Sequence, residues 1–237
     1  MQRQNCSIFA INTSVSSLEP PSFNAALMGQ FKVELGGVPL NLNSHVAQSV
    51  FAYLALNASK ALRREKLAGL FWPELMDTKA RCQLRHTVWR IRKAINACGY
   101  DGFAFIPEDA LHIQFHTGPD FQLDVATVLQ PITAHHSSND VIAQLAPYDE
   151  LLPGFNSPHD EWTSEWQYKL DQVYAYKGLL LIDRLIREGR CLDALEWGGR
   201  LMVASPHMEP VRQKMAVAFQ GLAEQWQLHW PSARVAA

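Results

Sequence analysis

The segment that most constrains the fold is residues 78–98, where apolar and basic side chains follow the period of an α-helix. One apolar stripe recurs at three- and four-residue steps: Ala80, Leu84, Val88, Ile91 and Ile95. No acidic residue lies between Thr78 and Tyr100, so salt bridges within the helix cannot neutralise its opposite, basic face. A long amphipathic helix with an uncompensated positive face is typical of a surface that binds a polyanion.

Positive charge is concentrated around this segment. Residues 60–93 carry ten basic and three acidic side chains, although the whole chain of 237 residues has a formal net charge of −2. Residues 1–99 carry a net charge of +7 and residues 100–237 a net charge of −9. The basic half indicates a nucleic-acid partner, and the charge asymmetry predicts two domains with different partners.

The pattern around the basic helix predicts a winged helix-turn-helix. Helices are predicted over three segments, about 45–57, 63–71 and 78–98. One β-hairpin is predicted before them, around Gly36-Gly37, and a second after them, with strands 103–106 and 111–115. In this order the third helix would lie in a DNA major groove and the second hairpin would be the wing.

The acidic half predicts a helical domain. A helix at 121–129 and a polar linker at 135–140 precede three longer helices, about 161–188, 192–203 and 209–228, separated by Gly or Pro turns. Such a series is typical of tetratricopeptide-like stacks. The predicted fold class is mainly α with small β-hairpins. It comprises a mobile tail (1–24), a winged helix-turn-helix domain (25–117) and a tetratricopeptide-like α-helical domain (118–237).

Three runs of sequence resemble SARP/AfsR-type bacterial transcriptional regulators. REKLAGLFWPELMDTKARCQLRHTVWRIRKAI (64–95) is similar to the DNA-binding segment of their OmpR-like winged helix. Two further runs resemble their bacterial transcriptional activator domain (BTAD): YDELLPGFNSPHDEWTSEW (148–166) and LIDRLIREGRCLDALEWGGRLMVASPHMEPVRQKMAVAF (181–219). The resemblance covers about residues 27–228, in the family's order. It implies activation from promoter DNA, often on direct repeats with two protomers side by side.

The sequence departs from the family at several positions of the expected DNA surface. Glu108 and Asp109 occupy the wing turn, where carboxylates would repel phosphate. Trp89 stands on the outward helix face where the family commonly has a small polar residue, and Cys82 and His86 are also unusual there. These positions therefore qualify what the resemblance implies about DNA contact.

Eleven residues are predicted to contact DNA. Arg81 and Arg85, joined by His86 and Thr78, are the expected base readers, because arginine forms a bidentate pair with guanine. The expected phosphate contacts are Arg63, Arg64, Lys79, Arg90, Arg92 and Lys93. For Trp89 two alternatives stay open: packing on the sugar or backbone of DNA, or packing on the second domain.

Enzyme chemistry finds no support in the sequence. There is no phosphate-binding Gly-rich loop, no G-x-S-x-G and no H-E-x-x-H, so neither catalysis nor a cofactor is predicted. The pairs His112/His116 and His135/His136 lack further ligands at metal-binding spacing, so no metal site is predicted. With no apolar run of about 18 residues and no signal peptide, we expect a cytoplasmic protein without a membrane partner.

The sequence thus predicts a DNA-binding transcriptional regulator that activates genes. Its expected partners are double-stranded promoter DNA, a second copy of the chain on that DNA, RNA polymerase and a small-molecule effector. The alternative is an adaptor that binds a protein or an effector through its helical domain, with a winged helix that no longer binds DNA. The acidic wing turn motivates this alternative.

Overall fold

The computed structural model describes residues 22–155 and 160–229. Its strands are β1 (Phe23–Ala26), β2 (Lys32–Leu35), β3 (Val38–Pro39), β4 (Leu62–Arg63), β5 (His112–Ile113) and β6 (Phe121–Leu123). Its helices are α1 (His45–Leu56), α2 (Arg64–Phe71), α3 (Asp77–Ala97), α4 (Gly102–Phe105), α5 (Asp124–Leu129), α6 (Ser138–Leu145), α7 (Trp162–Arg187), α8 (Cys191–Ala204) and α9 (Glu209–His229). The fold is mainly α with small β elements, as predicted.

A four-stranded sheet with the order β3-β2-β1-β6 begins the fold. The predicted turn at Gly36-Gly37 is present, and both glycines have positive φ (59° and 77°), as a two-residue hairpin turn requires. Phe23 and Asn24, assigned to the tail from the sequence, instead belong to β1, and the Phe23 ring is fully buried. The remaining tail positions 1–21 lie outside the described residues.

The three predicted helices of the DNA-binding half are α1, α2 and α3, each within a residue or two of its expected bounds. They pack together because each has one buried row; that of α1 includes Val50, Phe51 and Leu54. α3 packs on α1, α2 and α4. This arrangement leaves the opposite face of α3 in solvent.

The second predicted hairpin is wrong in its first strand. Residues 102–105 form the short helix α4, because the Asp101 carboxylate accepts a hydrogen bond from the Phe103 N–H (2.9 Å) and caps the turn. Gly102 packs against the Arg92 backbone, where a Cβ would lie 2.6 Å from the carbonyl oxygen. The strand partner of β5 is therefore β4, with Leu62 opposite Ile113 and Arg63 opposite His112. We call β4, β5 and the loop 107–111 the wing.

The C-terminal half is a series of packed helices. α7 packs on α8 and α8 on α9, which confirms the three long helices predicted there. The predicted polar linker 135–140 overlaps the beginning of α6, where Ser137 and Asp140 form a capping box. The predicted helix at 121–129 begins only at Asp124, because residues 121–123 pair with β1 as the parallel strand β6.

Contacts made by Asp124 and Trp162 help to join the halves into one continuous core. The Asp124 carboxylate accepts hydrogen bonds from the Leu27 and Met28 N–H groups (2.7 and 2.8 Å). The buried Trp162 indole donates to the Ser49 hydroxyl (3.3 Å) and packs on the Tyr53 ring. These contacts tie the start of α7 to α1. Among the described residues, no helix combines the length and apolarity needed to cross a bilayer.

Candidate nucleic-acid interface

Helix α3 presents the surface on which the sequence predicted DNA contact. The apolar stripe predicted from the sequence is buried, and Thr87 joins it on the same face. The exposed side holds eight of the eleven predicted DNA contacts: Thr78, Lys79, Arg81, Arg85, His86, Trp89, Arg90 and Lys93. Arg63 is also exposed, in the wing strand β4. These nine side chains are thus available to a partner in solution.

A groove of about 580 Å³ runs between α2, α3 and the wing. Its lining includes five of the predicted contacts, Arg63, Arg64, Arg81, Arg85 and Arg92, and three acidic side chains, Glu65, Glu108 and Asp109. The groove places both predicted guanine readers, Arg81 and Arg85, at the same edge of α3. Its charge is mixed rather than uniformly positive.

The two expected base readers differ in their surroundings. The Arg81 guanidinium forms an ion pair with the Glu65 carboxylate at 2.7 Å. Arg85 makes no hydrogen bond or ion pair with any described residue and projects from an exposed position. Arg85 can therefore contact a ligand directly. Arg81 can do so only while it remains paired with Glu65 or after that ion pair breaks.

Arg64 and Arg92 are engaged in holding the wing. Arg92 donates from Nε to the Ile106 carbonyl (2.8 Å) and from Nη2 to the Pro107 carbonyl (2.9 Å). Arg64 donates from Nε to the Asp109 carbonyl (2.7 Å). Partial burial lowers the pKa of both guanidinium groups, although arginine stays charged in proteins. Phosphate contact by these two residues stays a prediction, while their role in positioning the wing loop is evident from the geometry.

The Arg92 side chain also packs on an aromatic ring. Its guanidinium lies 4.2 Å from the Phe103 ring centroid. Since planar guanidinium groups stack on aromatic faces, this contact adds to the two carbonyl hydrogen bonds. Arg92 is thereby enclosed between α4 and the wing loop, and a lysine could not reproduce this arrangement.

The wing turn is acidic for a structural reason. The Asp109 carboxylate accepts hydrogen bonds from the Leu111 N–H (2.6 Å) and the His112 N–H (2.8 Å). These backbone donors lower the pKa of Asp109, so the carboxylate is ionised at neutral pH. The tip of the wing therefore carries negative charge, and the hydrogen bond from Arg64 to the Asp109 carbonyl holds this tip in place.

Trp89 is half exposed at the middle of α3. Its ring lies beside the His86 ring (centroids 5.7 Å apart), and the Lys93 ammonium lies 5.2 Å from its centroid. Both neighbours belong to α3 itself, so these contacts of Trp89 do not involve the helical half. Of the two alternatives considered from the sequence, packing on the second domain thus gains no support.

Glu65 is the member of this surface that sequence reasoning missed. It lies 16 residues before Arg81, and the turn between α2 and α3 brings the two together. The pairing of Arg63 with His112 across the wing is equally non-local. No helical or strand periodicity signals such contacts, because they depend on how separate elements pack.

The histidine pairs considered as metal ligands do not gather further ligands. Among residues 22–155 and 160–229, no group of three or more His, Cys, Asp or Glu side chains is placed to hold a metal ion. The N–H of Thr133 donates to His136 Nδ1 (3.0 Å), which gives this ring a local structural contact.

The sequence matches no protein-family model and no curated protein. A solved structure is similar, that of Mycobacterium tuberculosis EmbR in complex with a low-affinity phosphopeptide, with a TM-score of 0.74 and 16% sequence identity. The fold is EmbR-like. The likeness covers 87% of this chain, which spans only 57% of the EmbR chain. This shared fold combines a small N-terminal sheet with a helical domain, in agreement with the fold class expected from sequence.

Proposed function

We propose that the protein is a sequence-specific DNA-binding transcriptional regulator, of the activating kind, that works in the cytoplasm. The observation that carries the proposal is the exposed face of α3, which has five cations and no carboxylate along residues 78–97. A duplex groove supplies the phosphates that such a face needs, and an α-helix fits the major groove. The EmbR-like fold and the sequence resemblance to SARP/AfsR-type regulators are consistent with this use.

Arg85 and Arg81 are the proposed base readers, and Lys79, Arg90, Lys93 and Arg63 the proposed phosphate contacts. Each would bind without unfolding any element, since all six side chains are exposed. Arg64 and Arg92 would act mainly by positioning the wing. No catalytic role is proposed for any residue.

The helical half would serve self-association, contact with RNA polymerase or recognition of an effector. Its last helix, α9, exposes large apolar side chains, among them Phe219 (64%) and Trp226 (71%). Exposed apolar surface of this kind is typical of protein contact sites. We propose that two copies bind side by side on direct-repeat DNA, with this half in contact.

The first test is selection of binding sites from a pool of random duplex DNA by the purified protein at two salt concentrations. We expect one enriched motif and an affinity that falls steeply with salt, by about 0.9 units of log–log slope for each phosphate contact. A direct repeat in the motif would support the paired arrangement. Weak binding without enrichment would contradict sequence-specific recognition.

A charge reversal on α3 tests the placement of the site. Arg81→Glu combined with Arg85→Glu should abolish binding of the selected duplex, because two cations become anions beside phosphate. The matched control is Arg200→Glu with Arg212→Glu, which makes the same charge change on exposed residues of α8 and α9. Retained affinity in the α3 variant, or equal loss in the control, would show that the site lies elsewhere.

The adaptor remains the second candidate because the acidic wing turn and the Arg81–Glu65 ion pair weaken the positive field of the groove. Under this alternative the α3 charge reversal would leave partner binding intact and no DNA motif would be enriched. Both experiments therefore distinguish the two functions.

A further inference from the structure

Trp89 is the one large aromatic side chain on the exposed face of α3 in the described structure, and it is 52% exposed. It belongs to the outermost row of the helix, formed by Cys82, His86, Trp89 and Lys93 at steps of four, three and four residues. This row is opposite the buried stripe. Trp89 therefore projects toward whatever α3 binds.

The indole ring is held in place by its own helix. His86 lies one turn before it and Lys93 one turn after it, with the Lys93 ammonium near the ring centroid. Such i,i+3 and i,i+4 contacts restrict the ring's rotamers before a ligand arrives. The side of the ring that remains open faces solvent.

The surrounding charge identifies the class of ligand. Cations flank Trp89 on both sides, with Arg85 and Arg90 the nearest in sequence, and no acidic side chain stands between residues 78 and 100. An apolar protein surface placed on Trp89 would have to desolvate these cations without compensation. A DNA duplex offers phosphates to them, so DNA is the occupant that this face fits.

Within a major groove, an indole ring has one apolar partner on the base edges. The groove displays hydrogen-bond donors and acceptors, and the only apolar group among them is the 5-methyl group of thymine. From Arg85 to Trp89 the helix rises about 6 Å, less than the length of two base-pair steps. Trp89 and the proposed guanine reader Arg85 would therefore face neighbouring base pairs.

We propose that Trp89 recognises thymine by packing its indole ring on the 5-methyl group, next to the base contact of Arg85. The inference rests on the proposed DNA-binding function and specifies part of the sequence that is read. His86 and Lys93 lie beside the ring and do not themselves meet the methyl group, so Lys93 keeps its proposed contact with phosphate.

The test uses one duplex carrying the selected motif, made either with thymidine or with deoxyuridine at every thymine position. Deoxyuridine retains base pairing and removes only the methyl groups. We expect the wild-type protein to bind the deoxyuridine duplex about fourfold more weakly for each methyl that Trp89 covers. Trp89→Ala should bind the thymidine duplex more weakly and show no difference between the two duplexes.

Arg90→Ala is the matched control, since it removes a neighbouring exposed side chain that the proposal assigns to phosphate. It should weaken binding to both duplexes equally and keep the wild-type ratio between them. Circular dichroism checks that each variant is folded. A ratio that persists in Trp89→Ala, or wild-type binding that ignores the methyl groups, would overturn the proposal. Failure of the wild type to bind either duplex would instead contradict the proposed function.

Discussion

At the scale of single residues, the ion pair between Glu65 and Arg81 sets the state of a proposed base reader. The pair is exposed on both sides, with half or more of each side chain accessible. Exposed pairs contribute little to stability, about 0–1 kcal/mol. The pair nevertheless places a carboxylate within 2.7 Å of a group that must approach a base or phosphate.

Glu65→Gln should therefore raise affinity for the selected duplex by about fivefold at low salt, since removing one nearby anion is worth about 1 kcal/mol. Fluorescence anisotropy titration measures this change. The free energy of unfolding, from urea denaturation, should move by less than about 1 kcal/mol. Unchanged affinity would mean that the ion pair does not oppose DNA binding, and lower affinity would mean that Glu65 contributes to it, for example by accepting a hydrogen bond from cytosine.

Arg90 and Arg92 are two residues apart on α3, but the structure gives them different tasks. Arg92→Ala should lower the free energy of unfolding by about 1–2 kcal/mol, because two carbonyls of the wing loop lose a charged donor. Arg90→Ala should leave stability unchanged and reduce the log–log salt slope of DNA binding by about 0.9. Urea denaturation and salt titration of both variants provide the comparison. If Arg90→Ala lowered stability and Arg92→Ala reduced the salt slope, Arg90 would hold the wing and Arg92 would contact phosphate.

At the scale of elements, the sequence predicted those whose signal is local. The helices α1, α2, α3, α7, α8 and α9 were found from periodicity and capping residues, because their buried rows repeat every three or four residues. Only one strand of the wing was predicted. The predicted strand 111–115 contains β5, whereas β4 has two residues and no periodic pattern that would reveal it. Alternating apolar residues at 103–106 mimic a strand, but the Asp101 cap and the close approach at Gly102 favour a helix.

Two helical glycines allow a test of how α7 packs on α8. A Cβ at Gly178 of α7 would lie 2.6 Å from Leu201 of α8, a fully buried side chain, whereas a Cβ at Gly199 would meet nothing within 4 Å. Gly199→Ala should raise the free energy of unfolding by roughly 0.5–1 kcal/mol through helix propensity. Gly178→Ala should lower the free energy of unfolding, because overpacking against Leu201 costs about 1–3 kcal/mol, more than the gain in helix propensity. Thermal denaturation would refute this helix contact if both variants were stabilised.

The start of α6 provides a prediction on pH. Hydrogen bonds from the Ser137 hydroxyl and N–H lower the pKa of Asp140 below the ordinary value for aspartate. The stabilisation by the capping box is therefore fully present above the unfolded-state pKa of Asp140 and is lost as pH falls through its lower folded-state pKa. The stability difference between wild type and Asp140→Ala should be largest near neutral pH and shrink below about pH 4. Denaturant titrations across this range measure it, and a pH-independent difference would exclude the capping carboxylate as the cause.

At the scale of the whole molecule, the sequence predicted two domains from the change of charge near residue 100, with a boundary at 117/118 because the second predicted hairpin ends just before it. Local patterns could not reveal that β6 pairs with β1 across some 95 residues of chain, or that Trp162 packs on α1. Such contacts follow from the final packing and have no periodic trace in sequence. The same limit applies to the site. The cations of α3 were predicted from the sequence, but the Glu65–Arg81 ion pair and the hydrogen bonds of Arg64 and Arg92 to the wing loop were not.

Because the two halves share one continuous hydrophobic core, we expect them to unfold in a single cooperative transition. Trp162 is 6% exposed, lies at the start of α7 and packs between Tyr53 and Phe71 of the other half. Trp162→Ala should lower the free energy of unfolding by about 3–5 kcal/mol, and hydrogen exchange should accelerate in α1 and in α8 together. Trp226→Ala, at a position 71% exposed, is the control and should change stability by less than about 0.5 kcal/mol. If α1 alone lost protection, the halves would be independent domains, and regulation could not pass between them through this core.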